Sequence, residues 1–199
     1  MGIEIPKIAA FDFDGTLTTR DSMFAFIESV GGKSLLIMGL IRLSPMLILF
    51  KLGLIDRQKA KERLLYYFFK GTDEIVLKTW AKDFCEKELP AMLNPEMMER
   101  LAWHQQQGHR CFLVSASLDL WLQPFAEQHQ LELLSTQAQF SKGKYHRNFL
   151  CPNCYGPEKV KRLQAALEGQ PAYFSYAYGD SNGDREMLEW ADEDVLIGR

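Results

Sequence analysis

A pair of aspartates near the start of the chain has the residue types and spacing of a reactive site. Asp12 and Asp14 close the predicted apolar strand Lys7–Phe13, and Gly15 permits a tight turn directly after them. Two carboxylates this close repel each other, so the pair is costly unless a cation or a shared proton compensates. A hard divalent cation such as Mg²⁺ fits, because it takes oxygen ligands and needs few from the protein. A surface turn is the alternative, since Asp-Gly is common in turns, but the apolar strand leading into the pair favours a metal or catalytic site.

Further reactive groups occur where other predicted strands end or a helix begins. Ser115 closes one strand, Asp180 and Asp184 follow another, and Lys159 stands in the first turn of a helix. A lysine there opposes the helix macrodipole, so its presence needs another reason, such as a role in a site. The alternative interpretation is a solvated surface lysine. In an open α/β sheet the carboxyl ends of the strands surround one crevice. Carboxylates, a hydroxyl and a lysine in one crevice suit phosphoryl chemistry, with a nucleophile, a cation site and groups that neutralise phosphate oxygens.

The elements that must position these groups alternate along most of the chain. This alternation predicts an α/β fold with a doubly wound, mostly parallel sheet covered on both faces. The predicted strands are Lys7–Phe13, Arg110–Ser115, Leu131–Thr136, Tyr173–Tyr178 and Asp194–Ile197. The predicted helices between them are Pro95–Gln107, Leu118–Gln130, Pro157–Leu167 and Asp184–Ala191, and a small hairpin is predicted over Gln139–Phe149.

Residues 20–90 do not show this alternation of strands and helices, and their pattern predicts consecutive helices. The predicted helices are Ser22–Val30, Lys33–Leu52, Asp56–Phe69 and Asp73–Lys87. A helical block directly after the first acidic pair predicts an insertion that lies as a mobile lid over the site. The expected organisation is therefore a catalytic core of residues 1–19 and 91–199 with a helical cap of residues 20–90.

The stretch Ser34–Ile55 is apolar enough to raise the question of a membrane. Its two charges, Arg42 and Lys51, would each cost about 3 kcal/mol at the centre of a bilayer, and Pro45 interrupts the apolar stretch. Spanning would also conflict with a cap that must stay beside the active site. A helix pair buried in the cap or at a dimer contact, and an interfacial helix that touches lipid, remain as alternatives.

Composition and charge exclude several classes of protein. The 199 residues are 47% hydrophobic and 25% charged, which is typical of a packed globular protein and not of a disordered one. A net charge of −3 gives no general basic surface for DNA or RNA, so we expect no nucleic-acid partner. Four cysteines do not indicate a disulfide scaffold, and Met1 to Lys7 shows no signal peptide, so a cytoplasmic protein is expected.

Two further clusters, one of cysteines and one of basic residues, are predicted to have a structural rather than a functional role. Cys151-Pro-Asn-Cys154 has metal-like spacing, with His146 nearby, but one such pair is weak support for zinc. Four basic residues recur at helical spacing and predict a mostly solvated face: Arg57, Lys59, Lys61 and Arg63.

The whole set of motifs resembles the haloacid dehalogenase (HAD) superfamily of phosphohydrolases. Asp12-Phe-Asp14-Gly-Thr resembles its first motif, Ser115 its second, Lys159 its third, and Gly179-Asp180-Ser-Asn-Gly-Asp184 its fourth. The order and spacing agree from Ile8 to Ile197. The helical block together with Ser115-Ala116-Ser117 is similar to the phosphoserine-phosphatase-like branch, subfamily IB. Within that branch, Cys154-Tyr-Gly-Pro-Glu-Lys159 is most similar to the phosphatidylglycerophosphatase C-type group.

The resemblance implies a mechanism and a metal. Asp12 attacks phosphorus and becomes an aspartyl phosphate, and Asp14 protonates the leaving alcohol before it activates water. Ser115 and Lys159 hold phosphate oxygens. The implied cofactor is Mg²⁺, held by Asp12, the backbone carbonyl of Asp14 and Asp180, with Asp184 in support directly or through a water.

The resemblance also implies a substrate class. The expected activity is Mg²⁺-dependent hydrolysis of a phosphate monoester of a small metabolite or a lipid headgroup, with phosphoserine as an alternative substrate. Asp21 and Arg63 match the positions that receive the amine and carboxylate of phosphoserine, and Ala116 and Asn182 complete the expected substrate-binding set. Asp21 is shorter than the expected Glu, and Ala116-Ser117 replaces the usual Gly-Gly, which weakens phosphoserine. A receiver-like phospho-acceptor module is the alternative from another class.

Overall fold

A five-stranded parallel sheet lies at the centre of the computed structural model, which describes residues 5–169 and 173–198. In chain order the strands are β1 (Lys7–Phe11), β2 (Arg110–Leu118), β3 (Glu132–Thr136), β4 (Phe140–Ser141), β5 (Lys144–Tyr145), β6 (Phe174–Gly179) and β7 (Glu193–Leu196). β4 and β5 form a separate antiparallel hairpin, which confirms the predicted one. Of the segment on which the signal-peptide expectation rests, residues 1–4 lie outside the described residues.

Seven helices accompany the strands in the described part of the chain. They are α1 (Ser22–Lys51), α2 (Arg57–Phe69), α3 (Glu74–Lys87), α4 (Pro95–Gln106), α5 (Asp119–Gln128), α6 (Pro157–Ala166) and α7 (Arg185–Trp190). A short 3-10 helix, Leu89–Met92, precedes α4. The predicted helices are therefore present with ends that move by at most two residues, except that the two predicted over residues 22–52 form one kinked helix.

The sheet has the order β3-β2-β1-β6-β7, and every neighbouring pair is parallel. In β1, alternate residues belong to two different apolar clusters, Ala9 and Phe11 to one, Ile8 and Ala10 to the other. Such alternation places one cluster on each face of the sheet, since successive side chains point to opposite sides. The sheet is buried on both faces, as a doubly wound fold requires, and β1 lies in its middle.

Two strand ends differ from the prediction in a way that matters for the site. β1 ends at Phe11, so Asp12 and Asp14 lie in the loop that follows it. β2 continues to Leu118, and its pairing with β3 is irregular between Ser115 and Leu118. The polar Ser115 predicts the end of the strand, whereas in the structure the extended backbone continues past Ser115.

The apolar helix α1 departs from its predicted form at one place. Gly32 has a non-helical backbone (φ 75°, ψ 163°), so the helix is kinked where the sequence predicted two separate helices. The helix runs through Pro45, as the predicted helix Lys33–Leu52 does. Proline leaves the carbonyl four residues earlier without its helical partner, and here that carbonyl belongs to Ile41, on the exposed side of the helix.

Helices α1 to α3 lie between β1 and β2 in sequence and pack against the rest of the molecule. Phe26 of α1 stacks on Trp121 of α5 with ring centroids 5.1 Å apart. The start of α3 is tied to the β4–β5 hairpin by a 2.9 Å ion pair from Lys144 to Asp73 and a 2.8 Å hydrogen bond from the Glu74 N–H to the Gly143 carbonyl. The division into a core of 1–19 and 91–199 and a cap of 20–90 stays a prediction.

One buried histidine lies between α4 and the sheet. His104 is 0% exposed. Its Nδ1 lies 2.7 Å from Nδ1 of His109, and its Nε2 lies 2.8 Å from the hydroxyl of Tyr178. Burial, with smaller contributions from His109 and Arg100, lowers the pKa of His104 from 6.5 to about 4. Folding therefore holds this imidazole neutral at a pH where the unfolded chain protonates it.

Stability should consequently depend on pH through His104. As the pH falls from 6.5 toward 4, the unfolded chain binds a proton that the folded chain resists, so the free energy of unfolding decreases. We expect this contribution to reach about 3 kcal/mol, and His104→Gln to have a correspondingly flatter profile. Urea denaturation of both proteins across this range measures the difference. Parallel profiles would contradict the assignment.

Candidate active site

The central strand delivers Asp12 to the carboxyl edge of the sheet. Asp12 follows β1 directly, and its backbone N–H donates to the carbonyl of Tyr178 in β6 at 2.9 Å, which continues the ladder by one residue. Its side chain is buried, with 6% of the residue exposed. A carboxylate here lies between two neighbouring strands, at the position where ligands bind in open α/β sheets.

Lys159 is buried against this carboxylate. Its contacts there explain why a lysine stands in the first turn of α6. Its ammonium donates to Asp12 Oδ1 at 2.5 Å, to Asp184 Oδ1 at 2.6 Å and to the carbonyl of Val114 at 2.7 Å. All three N–H bonds are thereby used. Burial alone would lower the pKa of Lys159, but the charges of Asp12 and Asp184 outweigh it and raise that pKa. The ammonium is held charged between two acids.

For the pKa of Asp12, by contrast, burial outweighs the effect of the oppositely charged neighbour. Burial raises its pKa from 3.8 to about 7 against the lowering effect of Lys159, and the charges of Asp184 and Asp14 add to the rise. The site therefore concentrates more negative charge than its lysine neutralises. Among the described residues, five carboxylates but only three cationic side chains line the cavity in which Asp12 lies. A divalent cation would compensate this excess.

Three of these carboxylates are placed to hold such a cation. Asp12, Asp180 and Asp184 each offer an oxygen, and these oxygens lie within 4.8 Å of one another. Asp184 Oδ2 accepts the Ser181 N–H at 3.0 Å and the Ser181 hydroxyl at 2.8 Å, which fixes its orientation. An all-oxygen donor set of this kind fits a hard ion such as Mg²⁺.

Glycines make the close approach of these carboxylates possible. Gly15 has φ +89°, and a Cβ there would overlap the carboxylate of Asp180. A Cβ on Gly179 would likewise overlap Asp184. The tight turn expected of Gly15 thus serves a second purpose, because it clears the space that Asp180 occupies.

Asp14 is oriented by donors from two different parts of the chain. Its Oδ1 accepts the backbone N–H of Ser22, the first residue of α1, at 2.6 Å, and its Oδ2 accepts the Ser117 hydroxyl at 2.5 Å. Ser22 is fixed in turn by the Trp121 indole N–H, which donates to its hydroxyl at 3.0 Å. Sequence reasoning missed Ser117 as a site residue. Its position two residues after Ser115 in an extended strand was the available signal, because alternate residues share a face.

A cavity of about 700 Å³ gathers nearly all of the predicted site residues. Those that line it are Asp12, Asp14, Asp21, Ser115, Ala116, Lys159, Asp180, Asn182 and Asp184. Ser115 is buried, and its hydroxyl accepts the Ser117 N–H at 3.0 Å. Asp21 caps α1 by accepting the N–H groups of Met23 and Phe24 at 2.9 and 3.2 Å. Burial and the charge of Asp14 raise the pKa of Asp21 to about 6.

Arg63 is not brought to this cavity. It is exposed and lines a separate depression, with Arg147 and Phe149. Lys61 and Arg57 of the same helix line the cavity that contains Asp12 instead. Positions 57 and 61 share one face of α2 because residues four apart are neighbours on a helix, whereas position 63 lies about 200° from 61.

Two basic residues of α2, which belong to the cluster predicted to form a mostly solvated face, are held by specific contacts. Lys61 Nζ donates to the carbonyl of Ala116 at 2.8 Å, and burial lowers the pKa of Lys61 despite the nearby charges of Asp14 and Asp21. The Arg57 guanidinium lies 4.0 Å from the ring centroid of Tyr155, which also lines the cavity. α2 therefore contributes positive charge to the site, although not through the predicted residue.

The cysteine pair does not form a metal site in the described residues. Cys151 Sγ accepts from Arg162 Nη2 at 3.2 Å, and buried Cys154 donates to the carbonyl of Leu134 at 3.4 Å. Within residues 5–169 and 173–198, the one cluster of side chains at metal-binding distance is the aspartate cluster. Cys154 packs in the apolar cluster under the sheet.

A doubly wound sheet with a buried aspartate–lysine pair and a cluster of three aspartates at its carboxyl edge is typical of an α/β enzyme. The model of the haloacid dehalogenase-like hydrolases matches residues 9–189. The chain belongs to this family, so the predicted enzyme class is confirmed. A receiver-like module is not supported, since that fold has the order 2-1-3-4-5 and β1 is central here.

Individual relatives agree with this assignment. The chain is 36% identical over 195 residues to protein CicA of Caulobacter vibrioides, covering 97% of this chain and 86% of CicA. It is 26% identical over 187 residues to a probable phosphatase of Mycobacterium tuberculosis, covering 91% of this chain and 65% of that protein. These sequences place phosphatases among the chain's relatives, while the closer subgroup predicted from the third motif is not confirmed.

Solved structures share the fold. A protein of unknown function from Bordetella pertussis superimposes with a TM-score of 0.83 at 22% identity, covering 97% of this chain and 90% of that one. A phosphoserine phosphatase solved as an analogue of its phospho-aspartyl intermediate superimposes with a TM-score of 0.68 at 15% identity, covering 97% and 87%. The predicted α/β architecture with a mostly parallel sheet is confirmed.

The buried ion pairs of Lys159 lead to a stability prediction. We expect Lys159→Met to lower the free energy of unfolding by about 3–5 kcal/mol at neutral pH, because it leaves Asp12 and Asp184 buried without their cation. Lys161→Met on the same helix is the matched control, since that side chain is 77% exposed; its effect should stay within about 0.5 kcal/mol. Urea denaturation measures both. Equal effects of the two substitutions would contradict the role given to Lys159.

Proposed function

We propose that the protein is a Mg²⁺-dependent phosphatase that hydrolyses a phosphate monoester through a phosphorylated Asp12. One observation carries this proposal: the buried Asp12 carboxylate shares one cavity with Lys159, Ser115 and the Asp180–Asp184 acid pair. The membership of the hydrolase family and the phosphatase among the relatives support it. Each of these groups has a role in moving a phosphoryl group from an alcohol to water.

In the first half-reaction a carboxylate oxygen of Asp12 attacks phosphorus and the bond to the leaving oxygen breaks. Lys159 donates to the Asp12 carboxylate and offsets the repulsion between two anions. Ser115 lies on the same cavity wall, where its hydroxyl can hold a phosphate oxygen. Asp14 gives its proton to the leaving oxygen. The product alcohol leaves, and the phosphoryl group stays on Asp12.

In the second half-reaction Asp14 removes a proton from a water, which attacks phosphorus and restores the Asp12 carboxylate. Asp14 thereby regains the proton that it donated, so the cycle closes without net change in the enzyme. The two donors on Asp14, the Ser22 N–H and the Ser117 hydroxyl, fix its carboxyl in one orientation for both steps. Inorganic phosphate is the second product.

The metal site fits this chemistry. Asp12, Asp180 and Asp184 would hold Mg²⁺, with the backbone carbonyl of Asp14 as the further ligand that the family resemblance implies. When bound, the ion supplies positive charge to the phosphoryl oxygens as a Lewis acid. The excess of carboxylates over cations in the cavity gives the structural reason for a cation here.

The cavity favours a small-metabolite or lipid-headgroup monoester over phosphoserine. Arg63, the residue expected to receive the phosphoserine carboxylate, lies outside the cavity. Asp21 uses Oδ1 to cap α1, and apolar side chains of α1 make up part of the wall: Met23, Phe24, Leu47 and Phe50. This wall suits a leaving group that has an apolar part.

Replacing the proposed nucleophile tests the central step. We expect Asp12→Asn to release no measurable phosphate from p-nitrophenyl phosphate in the presence of Mg²⁺, because an amide oxygen is not a competent nucleophile here. Circular dichroism checks that the fold is retained. Asp83→Asn, at an exposed position of α3, is the matched control and should keep full activity. Turnover by Asp12→Asn at the wild-type rate would defeat the assignment.

The role of Asp14 predicts a different kinetic defect. p-Nitrophenolate leaves without help from an acid, so Asp14→Asn should still phosphorylate Asp12 but hydrolyse the phosphoenzyme slowly. We expect a burst of about one p-nitrophenol per enzyme, followed by turnover lowered about 10²- to 10⁴-fold. Stopped-flow absorbance measures the burst, and Asp12→Asn must lack it. Slow turnover with no burst would exclude Asp14 as the base of the second step.

A further inference from the structure

The second half of α1 carries apolar side chains on every side, including the side that faces away from the protein. Six of them form what we call the outer face: Ile37, Met38, Ile41, Ile48, Leu49 and Leu52. Each is between 40% and 68% exposed. A helix that is apolar all round is normally buried, and a contiguous exposed apolar patch on a soluble domain marks an interaction surface.

The outer face is presented by a helix that is fixed in place. On the opposite side Leu36 is buried, and Leu40 and Leu43 pack against the main apolar cluster. Gly39 lets α2 approach closely, since a Cβ there would overlap the Phe68 ring. Rotation of α1 to hide the outer face would break this packing, so the face must be covered from outside.

The charges along this segment indicate what covers it. Between residues 29 and 55 the charged side chains are Lys33, Arg42 and Lys51, all basic. A second copy related by a twofold axis would bring the same face against itself, so Arg42 would be buried without an acidic partner from that face. An anionic lipid surface has the complementary charge, and long basic side chains reach its headgroups while their stems stay among apolar groups.

α1 is long and apolar enough, by length and composition alone, to cross a membrane, and it is the one such helix in the described part of the chain. Its packing favours an orientation along the surface instead. Phe26 in its first half is buried against Trp121 and Phe84 of the protein interior. Its second half rests on α2 along its inner side. A helix with one side on protein and one side free can lie in the interface but cannot be surrounded by lipid.

We propose that the outer face of α1 docks the protein on an anionic lipid bilayer, with the helix lying in the plane of the interface. Leu47 and Phe50 of the same helix line the catalytic cavity. Docking would therefore hold this cavity within about 10 Å of the lipid surface, the diameter of one helix. The proposal goes beyond phosphatase activity and does not depend on it.

The test is flotation of the purified protein with vesicles of mixed phosphatidylcholine and phosphatidylglycerol. We expect the wild-type protein to bind these vesicles, more weakly at high salt and on pure phosphatidylcholine. The double substitution Ile41→Glu and Ile48→Glu should weaken binding at least about ten-fold. The matched control, Ile75→Glu and Val76→Glu on α3, alters two exposed apolar residues elsewhere and should bind like the wild type. Arg42→Gln should weaken binding about five-fold and reduce the salt dependence.

Three results would overturn the proposal. They are no vesicle binding by the wild-type protein, equal losses in the two double variants, and a stable dimer in sedimentation that Ile41→Glu with Ile48→Glu dissociates and that binds no vesicles. Hydrolysis of p-nitrophenyl phosphate in solution is measured alongside for each variant. Retained hydrolysis without vesicle binding would refute docking alone, so the two proposals fail separately.

Discussion

The buried ammonium of Lys159 is the interaction on which the rest of the site depends. It lies between Asp12 and Asp184 and also binds the Val114 carbonyl, so it joins the loops after β1 and β6 to β2 and to the start of α6. Four segments of the chain therefore meet at one cation. Since removing a partner from a buried charge network is far more costly than removing a surface charge, the same contacts that hold the proposed nucleophile also hold the strand ends together.

The same crowded carboxylates affect both the stability of the fold and the chemistry that the site can perform. The cavity holds more carboxylates than cations, and burial raises the pKa of Asp12 to about 7. Such crowding is unfavourable for folding, yet it provides the oxygen cluster that a divalent ion needs. Carboxylates with perturbed pKa values recur at functional sites.

The sequence was sufficient for much of this site because of how parallel sheets are built. Asp12, Ser115 and Asp180 each follow a short apolar strand, and carboxyl ends of parallel strands meet at one edge. Lys159 was identifiable because a lysine in the first turn of a helix is otherwise unfavourable. Together with the alternation of strands and helices, these rules predicted the sheet and nearly all of its elements.

The wrong predictions concern how side chains and helices are oriented in the folded protein, which a sequence pattern does not specify. Arg57, Lys59, Lys61 and Arg63 form one basic cluster in sequence, but the rotation of α2 about its axis decides that 57 and 61 face the cavity. Ser117 reads as a substitution in a family motif until its hydroxyl is found on Asp14. Each depends on packing between distant segments.

One contact has an implication for how this protein can vary. The proposed proton donor, Asp14, is held by the N–H of Ser22, where the long apolar helix begins. The segment of seven residues between them therefore has a fixed length, and an insertion or deletion there would move the Asp14 carboxyl directly. The far end of the same helix leads into a glycine turn at Gly53 that makes no such contact with Asp14. Variation in loop length among relatives should concentrate at that far end, which leaves the reaction centre intact while the reach and chemistry of the outer surface change.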